Sequence, residues 1–154
     1  MASHTYGITA AIALPRKSST CCIICASRLA LSVLKKRPRI LLADDHPGIL
    51  SAFQQMLEPN CEVVGIIKDG RNIVDAVTTL RPEVVVLDLS LPSVNGLQAC
   101  KQIKAIAPQT KVVIVSVATD SDVTREALRI GASAFMLKNV AASELLPTID
   151  KLVA

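Results

Sequence analysis

Five short apolar runs recur along the chain: Arg39–Ala43, Cys61–Ile67, Val84–Leu87, Val112–Val115 and Ala134–Leu137. Each is followed by a stretch in which apolar residues return at helical spacing. Ile49, Leu50, Phe53, Met56 and Leu57 follow the first run, and Ile73, Val74, Val77 and Leu80 the second, in a helix opened by Gly70. Leu97, Cys100, Ile103 and Ile106 give a third helix, Asp120–Ile130 a fourth stopped by Gly131, and Ala142–Leu152 a fifth that Pro147 should kink or delay. Runs that are apolar throughout, rather than alternating, predict strands covered on both faces. Five strand-then-helix repeats with right-handed crossovers predict a three-layer, doubly wound α/β sandwich with a five-stranded parallel sheet in the order 2-1-3-4-5.

In such sheets ligands bind outside the carboxyl ends of the strands. Asp44 and Asp45 follow the first strand, Asp88 the third, Ser116 the fourth and Lys138 the fifth. Taken singly, each has a plain structural explanation as a helix cap, turn residue or solvated side chain. Together at one edge they form a cluster of three carboxylates that calls for a cation. Hard oxygen ligands suit Mg²⁺, with Mn²⁺ as substitute. No His or Cys stands at a spacing that argues for zinc. Lys138 would pair with Asp88 at rest and with a transferred phosphoryl group afterwards, and Ser116 adds a neutral donor. These are the parts of a phosphoryl-transfer site whose nucleophile is the Asp88 carboxylate.

Charge divides the chain. The first 36 residues carry five Lys or Arg and no acid, whereas the remainder carries twelve against all thirteen acids, for a net charge of +4. The basic balance therefore belongs to the leader, and the nearly neutral folded part with its acidic edge is a poor direct ligand for nucleic acid. The boundaries expected are a basic, Cys-containing extension over 1–37, disordered or weakly helical, and a domain over 38–154. Cys21, Cys22 and Cys25 could be half a zinc site or a redox pair, but no second pair accompanies them. Cys61 and Cys100 fall on strand and helix patterns and should pack as small hydrophobes. The stretch Cys21–Leu34 is too short and too interrupted for a membrane span, and Lys35-Lys36-Arg37-Pro38 follows it where a cleavage site would stand. A cytoplasmic location without membrane attachment is the default.

Residues 38–154 resemble a response-regulator receiver domain, with a flavodoxin-like fold shared by the chemotaxis receivers. The resemblance is carried by Asp44-Asp45, by Asp88 followed by Leu91-Pro92 and Asn95-Gly96, by Ser116, and by Phe135 three places before Lys138. Ala43-Asp-Asp-His-Pro47 and Leu137-Lys-Asn139 further resemble the NarL/FixJ subfamily, whose members usually carry a LuxR-type helix-turn-helix output domain; the chain stops where the linker to it would begin. The resemblance implies a two-component signalling domain, with at most autophosphatase activity, rather than a turnover enzyme. It implies that Asp88 accepts phosphate from a sensor histidine kinase or phosphotransfer protein. Asp45 would bind Mg²⁺ directly, Asp44 mainly through metal-bound water, and Asp88 and the Ser90 backbone carbonyl would complete the protein ligands. Ser116 and Lys138 would contact the phosphoryl oxygens while Phe135 swings inward, coupling the chemistry to the face formed by the fourth helix, fifth strand and fifth helix. Val123, Leu128, Ile130, Phe135 and Leu145 are its expected apolar members, available for a homodimer. DNA would be reached only through an output domain.

Two positions depart from the family pattern. Val117 stands where a small residue is usual and should narrow access to Asp88. Ala118 cannot orient an attacking water, so the phosphoaspartate should be long-lived. Two other functions compete. A phosphorylation-independent pseudo-receiver scaffold would need only the interaction face. A phosphatase resembling the haloacid-dehalogenase family would need a second Asp two places after the nucleophile, where Ser90 stands.

Overall fold

The computed structural model describes residues 36–154, so the Cys21, Cys22 and Cys25 cluster lies outside the described residues. A compact unit spans Arg37–Ala154. Its first residue is already tied in, because the Arg37 guanidinium donates to the carbonyls of Glu58 and Cys61.

The elements run β1 (Arg39–Ala43), α1 (Pro47–Leu57), β2 (Glu62–Ile67), a 3₁₀ turn (Gly70–Asn72), α2 (Ile73–Leu80), β3 (Val84–Asp88), α3 (Gly96–Ile106), β4 (Lys111–Ser116), α4 (Ser121–Arg129), β5 (Ala134–Leu137) and α5 (Lys138–Val153). All strand pairs are parallel, and the sheet order is β2-β1-β3-β4-β5. Alternate residues of each inner strand enter different cores. Leu41, Val85, Leu87, Val112 and Ile114 pack with Ile73, Val77, Ala99, Ile103 and Ala127, from α2, α3 and α4. Ile40, Leu42, Val84, Val86, Val113 and Val115 pack with Leu50, Phe53, Leu57, Leu145 and Ile149, from α1 and α5. This two-sided burial is why the strand sequences lack polar alternation.

Local chemistry sets most of the element ends. Pro47 begins α1, where its missing amide hydrogen costs nothing. Asp120 caps α4 by accepting from the amides of Asp122 and Val123 at 2.8 and 3.3 Å, and Gly131 takes a left-handed φ of 107° just beyond that helix. The second helical segment is the first departure from the sequence reading. Gly70 opens a 3₁₀ turn, with the Asp69 side chain accepting from the Arg71 amide, and α-helical geometry starts only at Ile73.

The last helix is the larger correction. It begins at Lys138, not Ala142, and runs through Pro147 to Val153. Ala141, Leu145 and Ile149 each have 0 % exposure. Burial of about 1.5–3 kcal/mol per large apolar side chain outweighs the proline penalty, which acts on the exposed side of the helix. The same burial removes Leu145 from the expected partner-binding face. Among the described residues no helix is long and apolar enough to cross a membrane.

Because Pro147 is exposed and its ring removes one helix hydrogen bond, Pro147→Ala should stabilise the domain by about 1–3 kcal/mol. Urea denaturation followed by circular dichroism would register this as a higher midpoint with an unchanged slope. An unchanged or lower midpoint would mean that the helix is already locally relaxed around the proline.

Candidate phosphoacceptor and cation site

β1 and β3 are adjacent, so the residues that follow Ala43 and Leu87 emerge side by side. Asp44 and Asp88 are both only 2 % exposed, and Asp45 is half-exposed. β4 brings Val115 alongside Asp88, and β5 brings Leu137 alongside Ser116. Lys138, the first residue of α5, thereby reaches back across the edge. Its Nζ lies 2.6 Å from Asp44 Oδ2 and 3.3 Å from Asp88 Oδ2, with the side chain 8 % exposed. Four of the expected site residues, Asp44, Asp45, Asp88 and Lys138, therefore converge.

The cluster remains one in need of positive charge. One ammonium faces three carboxylates. Asp44 Oδ2, Asp45 Oδ1 and Asp88 Oδ2 are buried atoms that accept no hydrogen bond, although the first and last lie against Lys138 and the second against the His46 imidazole. Buried oxygens in this condition are unusual and call for an ion or a charged ligand. The three carboxylates, two of them adjacent in sequence, supply oxygen donors that suit Mg²⁺ or Mn²⁺.

Ser116 is buried at the end of β4, but its hydroxyl is engaged elsewhere. It donates to the Ala118 carbonyl at 2.8 Å and accepts from the Ala118 amide at 3.3 Å. Phe135 is half-buried against the core beneath α2, α3 and α4. Ser90 lies in the exposed turn just after β3. Val117 is 76 % exposed, so most of its side chain stands in solvent.

Three residues were given no role at the site by the sequence reading, although His46 and Gly96 stand in the motifs that carry the resemblance. His46 places Nδ1 2.8 Å from Asp45 Oδ1 and 3.2 Å from Asp44 Oδ1. Its position directly after the acidic pair was the available signal. Gly96 lies where a Cβ would come within 2.6 Å of the Asp88 carbonyl oxygen and 2.7 Å of Leu89 Cα, so only glycine lets α3 start this close to the Asp88 backbone. Asp69 joins two loops. It takes Arg71 in an ion pair at 2.8 Å and accepts from Ser93 Oγ at 3.1 Å, while the Gly70 amide donates to the Pro92 carbonyl at 3.1 Å. Ser93 has a left-handed φ of 68°. The Arg71 side-chain hydrogen bond, helped by the Arg71 amide, holds the Asp69 carboxyl down at about 2. Burial pushes the Cys100 thiol up to about 11, keeping it protonated and inert near neutral pH.

Comparison with known proteins agrees with this geometry. The family model described as the response regulator receiver domain matches residues 40–150. The chain belongs to this receiver-domain family. The receiver is similar to the transcriptional regulatory protein DegU of Brevibacillus brevis, at 32 % identity over 79 % of this chain and 52 % of that protein. It is also similar to the nitrate/nitrite response regulator protein NarL of Escherichia coli K12, at 29 % identity over 75 % of this chain and 54 % of that protein. It spans about half the length of these curated relatives. Among solved structures, the response regulator domain of Thermotoga maritima CheB superposes with a TM-score of 0.71 at 31 % identity, covering 77 % of this chain and 98 % of that one. A LuxR-family two-component response regulator from Aurantimonas sp. SI85-9A1 gives 0.72 at 27 % identity, covering 77 % and 86 %.

Two outcomes follow from the receiver's electrostatics. Asp88→Asn removes one of three mutually repelling carboxylates. It should stabilise the metal-free domain by about 1–2 kcal/mol, a fraction of the roughly 4 kcal/mol between unit charges 4 Å apart at an effective dielectric of 20. Added Mg²⁺ should stabilise wild type more than the variant, and chemical denaturation in chelator and in Mg²⁺ measures both.

The second outcome concerns acid. A carboxyl whose folded value is depressed contributes stability above its unfolded value of 3.8, and that contribution is lost as pH falls towards about 2. Thermal midpoints of wild type and Asp69→Asn should therefore differ at pH 5 and converge by about pH 2. A difference that persists at the acid end would assign the effect to packing instead.

Proposed function

We propose that the domain accepts a phosphoryl group on Asp88 from a phosphohistidine of a sensor histidine kinase or phosphotransfer protein, and that the acyl phosphate resets a protein-binding face. The reading is carried by the Lys138 ammonium, held between the buried carboxylates of Asp44 and Asp88 at 2.6 and 3.3 Å. An Asp88 oxygen forms the new P–O bond as the donor's P–N bond breaks, and the departing imidazole nitrogen keeps the electron pair. Lys138 then transfers its ion pair from the carboxylate to the phosphoryl oxygens without moving far.

Asp45 directly, Asp44 through bound water, Asp88 and the Ser90 carbonyl would hold Mg²⁺, or Mn²⁺ in its place. The ion would neutralise charge on the phosphoryl oxygens. Ser116 has to exchange its bond to the Ala118 carbonyl for one to phosphate, which draws the β4–α4 loop inward. Phe135, whose Ile114 neighbour lies two residues before Ser116 on β4, follows that movement. The face altered is α4, β5 and α5, with Leu128 51 % exposed and Val123, Ile130 and Phe135 half-buried. A kinase, an output segment or a second receiver copy would dock there. DegU is described as a transcriptional regulatory protein, and both it and NarL are about twice as long as the matched region. DNA contact in this reading belongs to a separate output segment.

Intact mass of the full chain after incubation with acetyl phosphate tests the chemistry, with and without Mg²⁺, for wild type and Asp88→Asn. One added phosphoryl group is expected in wild type, only with Mg²⁺, and none in the variant. A folded wild type that gains nothing, or a variant that gains as much, would replace this reading with the phosphate-independent scaffold.

A further inference from the structure

The acidic edge contains a nitrogen that the phosphoryl chemistry does not use. His46 is the N-cap residue of α1, yet its side chain makes no cap hydrogen bond. Its backbone amide already donates to Asp44 Oδ1 at 2.8 Å. The ring is instead turned towards the carboxylates, with Nδ1 3.2 Å from Asp44 Oδ1 and 2.8 Å from Asp45 Oδ1. Although so close to this nitrogen, Asp45 Oδ1 is a buried atom that accepts no hydrogen bond. The contact with Asp44 Oδ1 is a hydrogen bond when Nδ1 carries the proton, whereas the closer approach to Asp45 Oδ1 has proximity without hydrogen-bond alignment, as two donors to a common ion would show.

One potential ligand atom each from Asp44, Asp45, His46 and Asp88 lies within 4.8 Å of all the others. Ligands at right angles around an octahedral ion, each about 2.1 Å from it, stand about 3 Å apart. The His46–Asp45 and His46–Asp44 separations bracket that value. The ring's outer face is open, since the side chain is 62 % exposed, so Nε2 is free to carry the proton when Nδ1 takes a metal.

We infer that His46 Nδ1 is a further ligand of the cation site and tilts its selectivity away from Mg²⁺ towards divalent transition ions such as Mn²⁺. The inference rests on the reading of the acidic edge as a cation site. Carboxylate and water ligands serve Mg²⁺ and Mn²⁺ alike, whereas an imidazole nitrogen favours the transition ion.

Mn²⁺ added to the full-length chain provides a test independent of phosphorylation. Pulsed electron paramagnetic resonance of the bound ion should show nitrogen hyperfine coupling in wild type and none in His46→Ala or His46→Gln. Calorimetric titrations with Mn²⁺ and Mg²⁺ should show the Mn²⁺-to-Mg²⁺ affinity ratio falling about tenfold in both variants, the scale on which neighbouring groups tune metal sites. Neither variant removes a cap bond, and circular dichroism checks the fold. Bound Mn²⁺ without nitrogen coupling in wild type, or coupling that survives in the variants, overturns the inference and leaves the cation site standing. Wild type that binds neither ion, or Mn²⁺ binding unaffected by Asp45→Asn, overturns the cation-site reading and this inference with it.

Discussion

Lys138 keeps its ammonium almost out of water, between two carboxylates that are themselves buried. Desolvating three charges is costly, and removing the Lys138 ammonium would cost several kcal/mol because two buried carboxylates would be left uncompensated. The arrangement persists because sheet topology delivers all three groups to one place. β1 and β3 are neighbours, and α5 begins at Lys138 with no intervening loop. An α5 starting a turn later would leave Lys138 on a flexible connection. Direct succession from strand to helix fixes its backbone, and the buried row Ala141, Leu145 and Ile149 anchors the helix that carries it.

The remaining loops are tied by separate devices, each local and polar. Asp69, Arg71 and Ser93 join the connection after β2 to the one after β3, and Gly70 and Gly96 allow backbones to approach where a Cβ would collide. Ser116 is held by a hydrogen bond that its proposed role must break. Its hydroxyl is paired with Ala118 in its own loop, so the proposed exchange to a phosphoryl oxygen would couple loop position to the state of Asp88. Rigid carboxylates beside a rearrangeable hydroxyl suit a switch, because the charge changes where the scaffold is stiff and the response occurs where it is not.

Much of the fold was legible because each strand is short, apolar throughout and bounded by turn chemistry. β1 and β5 span the residues that their apolar runs predict, and Asp120 and Gly131 bound α4 as their side-chain and backbone chemistry requires. The acidic residues and Lys138 were legible as a set because strand ends in a parallel sheet share an edge. The start of α5, its passage through Pro147 and the burial of Leu145 were not. Propensity near Pro147 argues against a helix, and only the apolar surface of the sheet, formed by residues distant in sequence, supplies the burial that overrides it.

The sequence by itself determined which groups reach the carboxyl edge, since alternation of strand and helix leaves few topologies and each chemical residue sits at a strand's end. Tertiary structure alone decided how those groups engage. It set Lys138 closer to Asp44 than to Asp88, turned Ser116 towards Ala118, pointed His46 at the carboxylates, and clamped Asp69 to Ser93. Those choices depend on side-chain directions across non-adjacent segments at a resolution of about one ångström. Periodicity along the chain specifies which face a residue occupies, and carries no information at that scale.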